Sequence, residues 1–137
     1  MKHLKTFIHP EVTSKDISGN VLKQLSTRAI VLNGDQILLL YTKRYDDYSL
    51  PGGKLDPNED IIVAIHLISY CYSCKIDPKL GDTNLESYEI NNGMEVKWMS
   101  ITEAIKYNKN TLKNSSKKGL SIEREIYLLE LINLSNF

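Results

Sequence analysis

The chain has 137 residues, is 42% hydrophobic and carries a formal net charge of zero at pH 7. That length and apolar fraction suit one domain with a sizeable core, and the charge balance excludes a global field drawing it to nucleic acid or an anionic membrane. The most apolar stretch, Ile61 to Ile68, is too short to cross a bilayer. The start of the chain has Lys2 and Lys5 but no apolar signal core, so the expectation is a cytoplasmic protein that binds neither membrane nor nucleic acid.

Residues 1 to 25 are mixed and polar and read as a lead-in segment to a single domain spanning 1–137. Ala29–Leu32 and Gln36–Tyr41 are apolar, β-prone runs joined by Asn33-Gly34-Asp35, a strong hairpin signal. Tyr48–Leu50 is a short extended piece that ends at Pro51. Asn58 suits a helix N-cap, with Glu59 and Asp60 in the first turn. The β-branched residues Ile61, Ile62, Val63 and Ile65 would suit a strand, but the cap and the length favour a helix over Ile61–Cys74. Such a helix is apolar on nearly every side and needs burial or a partner, which leaves a homodimer open. Leu85–Ile90 and Met94–Met99 read as a second hairpin around Asn91-Asn92-Gly93. Ser100-Ile101-Thr102-Glu103 is a capping box that starts a helix running to about Tyr107. Asn108–Gly119 reads as a polar, lysine-bearing loop. Ser121 then caps a closing helix that turns Ile126, Leu128, Leu129, Leu131 and Ile132 to the core. The order implies an α/β/α sandwich on a mixed sheet.

The two cysteines, Cys71 and Cys74, are three positions apart. Half a zinc site or a redox dithiol would have this spacing. A zinc site needs two more ligands, and His3, His9 and His66 have no paired spacing, so two small hydrophobes in a reducing compartment is the simpler reading.

The segment Pro51-Gly52-Gly53-Lys54-Leu55-Asp56-Pro57-Asn58-Glu59 carries the chemistry. A glycine-rich turn feeding a helix start with carboxylates is a way to prepare a site for a metal and a phosphate. Ile61–Cys74, which follows, contains no acidic residue.

Together the hairpin, the Leu50-Pro51-Gly52-Gly53 turn, the Glu95-Val96-Lys97-Trp98 strand, the Ser100-capped helix and the Lys117–Ser121 entry to the last helix resemble the Nudix hydrolases. The resemblance runs from about Ser26 onward. It implies a Nudix-like α/β/α sandwich with a mixed sheet, hydrolysis of a nucleoside diphosphate linked to another moiety, and Mg²⁺ or Mn²⁺ as cofactor. In that family a helix of glutamates binds the metal, which bridges the diphosphate and activates water. Here Gly53 and Glu59 match the first glycine and glutamate of the signature. The later arginine falls on Leu67, the glutamates on Ile68, Cys71 and Tyr72, and the closing glycine on Cys74. The region from 75 to 95 is also short for the strands the family places there.

The metal ligands that the resemblance implies reduce to Gly53, Asp56 and Glu59, and Glu59 and Glu95 are the catalytic candidates. Glu59 reads equally as a residue stabilising a helix N-terminus. Arg28, Lys43, Arg44, Tyr48, Gly52, Gly53 and Lys54 are the candidates for binding a nucleotide-type small molecule, by charge, backbone N–H groups and stacking. Each also reads as an ordinary surface residue, as do Lys113, Lys117 and Lys118. Three functions follow: a nucleotide-binding module with little or no hydrolysis, a divergent hydrolase recruiting ligands such as Glu59, Glu89 or Glu95, and a non-catalytic interaction domain.

Overall fold

A computed structural model describes residues 5–7, 22–54, 65–76 and 85–135. They form an α/β arrangement of six strands and three helices: β1 (Leu22–Asn33), β2 (Gln36–Thr42), β3 (Asp47–Ser49), β4 (Gly52–Lys54), β5 (Ile65–Cys74), α1 (Ser87–Asn91), β6 (Met94–Ser100), α2 (Ile101–Asn114) and α3 (Ile122–Leu134). The chain divides into two compact units, one of residues 1–27 and 52–70, the other of residues 28–51 and 71–137.

In the larger unit β2 is the central strand. It pairs antiparallel with β6 along its whole length, from Gln36 opposite Ser100 to Thr42 opposite Met94. Its other edge meets β1 beside the turn, at Leu32 opposite Ile37, and β3 at the far end, at Tyr41 opposite Tyr48. Every pairing with a described register is antiparallel, where a mixed sheet was expected. The β1–β2 loop is the two-residue Gly34-Asp35, with a positive φ of 61° at Gly34 alone, the pattern of a type II′ turn. Ile37, Leu38, Leu39 and Leu40 are buried in succession, so both faces of β2 are covered. Leu39 and Leu50 join Ala104 of α2 and Leu128, Leu129 and Ile132 of α3 in one core, with Cys71 and Met99 packed at its edge. Fully burying a leucine contributes about 1.5–3 kcal/mol, so this cluster is the main source of stability in the unit.

The smaller unit contains β4 and residues of β1 and β5. Both β4 and β5 pair with β1, and the Ser26 and Ser69 hydroxyls hydrogen-bond at 2.7 Å.

Four expectations are corrected. Ile65–Cys74 is a strand, not a helix; its isoleucines and tyrosines have high strand propensity, and β1 supplies the backbone partners that override the helix signal. Residues 55–64, with Asn58, Glu59 and Asp60, lie outside the described residues. The stretch 85–90 is not a strand: Ser87–Asn91 is a single helical turn, fastened where the Glu89 carboxylate accepts from the Glu86 backbone N–H at 2.8 Å. Gly93, at φ 61°, then turns the chain into β6. Among the described residues from 75 to 93 there is no strand. Helix α2 runs on to Asn114, well past Tyr107. It does so because Asn108 is buried, its side-chain oxygen accepting from the Tyr48 N–H and its NH₂ donating to the Tyr48 carbonyl, each at 2.8 Å. In α3, Ser121 occupies the cap position without a side-chain hydrogen bond, and Leu131 is only half-buried, while Ile122 and Glu125 join the buried face.

No helix among the described residues is long and apolar enough to cross a membrane.

Candidate functional site

The Gly-Gly element is extended rather than a tight turn: Gly52 and Gly53 lie in β4, Gly53 has no positive φ, and a Cβ there would meet nothing within 4 Å. Gly53 thus does not use the positive-φ freedom peculiar to glycine. Asp56 and Glu59 lie outside the described residues, as does the side chain of Lys54. Among the described residues no three His, Cys, Asp or Glu side chains gather as a metal site. In β5, Cys71 and Cys74 have odd spacing and face opposite sides of the strand, which argues against a shared ion or a ready disulfide. Burial first, and then the Glu125 carboxylate, push the Cys71 thiol above its ordinary range, so it is a poor thiolate.

The remaining candidates fall into three groups in the larger unit. Arg28 is turned inward. Its guanidinium donates to the Leu50 carbonyl at 3.1 Å and lies 3.8 Å from Glu125, whose side chain is fully buried. Glu125 also accepts from the Leu50 N–H at 3.1 Å and from Arg124 at 2.9 Å. Both backbone groups of Leu50 are therefore held by charged side chains, which gives Arg28 a structural role.

Lys43, Glu95 and Lys97 form an exposed chain, with Glu95 2.7 Å from Lys43 and 2.8 Å from Lys97. The hydrogen bonds from Lys43 and Lys97 hold the Glu95 carboxyl down to about 2. A carboxylate so stabilised as an anion is a weak general base. Beside them Arg44 donates to the Asn92 side-chain oxygen at 3.1 Å and lies over the Tyr45 ring at 5.4 Å.

The third group was only partly anticipated. Tyr48 packs with Tyr41 and Tyr107, each ring centroid 5.0 Å from that of Tyr48. The Tyr41 and Tyr107 hydroxyls both donate to Asp46 Oδ1, at 2.8 and 2.6 Å. The bond to Asp46 pushes the Tyr107 hydroxyl far above the ordinary tyrosine range. Asp46 has a φ of 54°, a left-handed conformation that costs a non-glycine residue energy and here is fixed by the two phenols. An open cleft of about 380 Å³ begins at Asp46 and is lined by Asn110, Thr111, Asn114, Ser115, Ser116 and Lys117. The adjacent acids in Tyr45-Asp46-Asp47-Tyr48 are the one trace of this cluster in the sequence.

Next to it Asp47 is buried, 4% exposed. Loss of solvent, then the charges of Glu125 and Asp46, push its carboxyl up to about 6. The backbone at Gly119 closes over it: a Cβ at that position would stand 3.4 Å from Asp47 Oδ2 and 3.2 Å from the Tyr45 ring.

No family model matches the chain, and no curated protein is significantly similar to it.

Proposed function

We propose that the chain is a Nudix-like domain that binds a nucleotide-type small molecule and has no metal-dependent hydrolase activity of its own. The order of hairpin, Gly-Gly element, Trp98 strand, Ser100-capped helix and closing helix supports the Nudix-like α/β/α reading. The observation that carries the loss of chemistry is β5: where the signature requires a helix of glutamates, Ile65–Cys74 is a strand without an acidic residue. Mg²⁺ demands near-octahedral oxygen coordination with carboxylate charge, and the residues there do not fit it. Lys43, Arg44, Tyr45 and the Asp46 cleft retain groups suited to the polar and aromatic parts of a nucleotide.

The test is thermal shift and calorimetry with ADP-ribose, NAD and nucleoside triphosphates, in EDTA and in Mg²⁺, alongside an assay for released phosphate. Saturable stabilisation in EDTA without turnover is expected. Rapid Mg²⁺-dependent cleavage by the unmodified chain would overturn the proposal, as would the absence of any nucleotide-dependent shift.

A further inference from the structure

We infer that the cleft at Asp46 is a binding site for a polyhydroxylated ring, the ribose of a nucleoside or a free monosaccharide; in its nucleoside form the inference rests on the function proposed above. Several groups on the residues that line this cleft have hydrogen-bonding capacity left over. Both phenols bond to Asp46 Oδ1, and Oδ2 accepts no hydrogen bond among the described residues. Asn114 donates its NH₂ to Asn110 Oδ1 at 2.7 Å, which leaves the Asn114 oxygen as an acceptor and the Asn110 NH₂ as a donor. The Ser115 Oγ accepts from the Lys117 N–H at 3.1 Å, so its own hydrogen remains to donate. Ser116 and the Lys117 ammonium complete the rim.

Both donors and acceptors are therefore left on residues that line one cleft. A sugar hydroxyl is at once donor and acceptor, and two neighbouring hydroxyls can share a carboxylate oxygen and an amide. Other ligand classes fit less well. An isolated anion would face the Asp46 charge and the carbonyl end of α2, whose partial charge is negative. A cation would face Lys117. An apolar ligand would leave every one of these groups unmatched. The fixed geometry points the same way. Asp46 is pinned by two hydroxyls in a left-handed conformation, and Asn110 and Asn114 are four residues apart on a single face of α2. Asp46 is therefore held before binding, which lowers the ordering required of it.

The experiment is a backbone amide NMR titration of the full chain with ribose, glucose, adenosine, AMP and inorganic phosphate, in EDTA. Saturable shifts at the amides of residues 46, 110 and 114–117 with ribose or glucose are expected, in the millimolar range. Adenosine shifting those amides at lower concentration than ribose identifies the nucleoside as the source; glucose and ribose acting with adenosine inert identifies the free sugar and removes support from the nucleotide proposal alone. Asn114→Ala, at an exposed position, and Asp46→Asn, which tolerates the left-handed φ, should each weaken binding at least tenfold. Phosphate alone shifting these amides, nucleotides shifting only amides elsewhere, no polyol response, or variants that bind as the parent does would each overturn the inference. The third of these leaves nucleotide binding itself standing only if another surface responds.

Discussion

Replacing Asp47 with asparagine should stabilise the protein, and only above a definite pH. The carboxyl ionises near its ordinary value of 3.8 in the unfolded chain and is pushed up to about 6 in the fold by burial, by Glu125 and by Asp46. Well below pH 3.8 both states are protonated and the group contributes no pH dependence. Between pH 4 and about 6 the unfolded state releases the proton while the folded state retains it. Stability therefore falls as pH rises through that window and is flat beyond it. At about 1.4 kcal/mol per pH unit the full penalty is about 3 kcal/mol, and relaxation of the surroundings around the carboxylate lowers it to about 1–2 kcal/mol. Asparagine has nearly the same shape and cannot ionise, so Asp47→Asn should come closest to the parent at pH 4 and exceed it by about 1–2 kcal/mol at pH 7.5. For a chain of this length that is a rise of about 4–8 °C in melting temperature. Calorimetric melting of both proteins from pH 4 to 8 measures it. A constant difference at all pH values, or a less stable variant at pH 7.5, would show that the Asp47 carboxylate has a favourable partner and that the burial argument is wrong.

Glu125→Ala removes the carboxylate that satisfies Arg124, faces Arg28 and accepts from Leu50. The expected loss is about 3–5 kcal/mol in urea unfolding, because two largely buried guanidinium groups remain uncompensated. Asn108→Ala strands the backbone N–H and carbonyl of Tyr48, and a loss of about 2–3 kcal/mol by chemical denaturation is expected. Gly93→Ala should cost about 1–2 kcal/mol, since the residue has φ 61° and a Cβ there would meet the Lys43 Cβ at 3.0 Å; unchanged melting would show that the turn re-forms without strain.

The elements that follow from local rules were legible. Apolar runs flanking Gly34 define β1 and β2. The Ser100 hydroxyl accepts from the Glu103 N–H at 3.2 Å, as the capping box predicts, and the closing helix follows its apolar spacing. What escaped depends on distant partners. Ile65–Cys74 carries signals for both helix and strand, and pairing with β1 decides between them. Helix α2 passes through Asn108, a residue that favours loops, because Tyr48 offers both halves of a backbone hydrogen-bond pair. Glu125 did leave a trace: with Ile122, Ile126, Leu129 and Ile132 it sits at helical spacing on the apolar stripe, where a carboxylate needs buried cations. The role of Arg28 as one of those cations is not encoded near Arg28. It depends on a helix almost a hundred positions later in the chain. Of the candidate site, Tyr48 was anticipated and Asp46, Tyr107, Asn110 and Asn114 were not, because their convergence depends on the docking of α2 against the β2–β3 turn.

Several polar side-chain contacts of the larger unit converge on residues 46–50. Tyr41 and Tyr107 hold Asp46, Asn108 holds both backbone groups of Tyr48, and Arg28 and Glu125 hold those of Leu50. Strand, α2 and α3 thus each supply a polar clasp to one short segment. An apolar core of the same volume would be at least as stable, since buried ion pairs seldom repay their desolvation. Asp47, with a carboxyl pushed to about 6 by burial, makes the segment more costly still. Stability therefore does not explain the arrangement, whereas a need to fix the backbone at Asp46 does. A carboxylate on a free turn would sample many orientations, and a ligand would bear the cost of ordering it. With the flanking residues held at alternate positions, Asp46 is presented to the cleft in one orientation before anything binds.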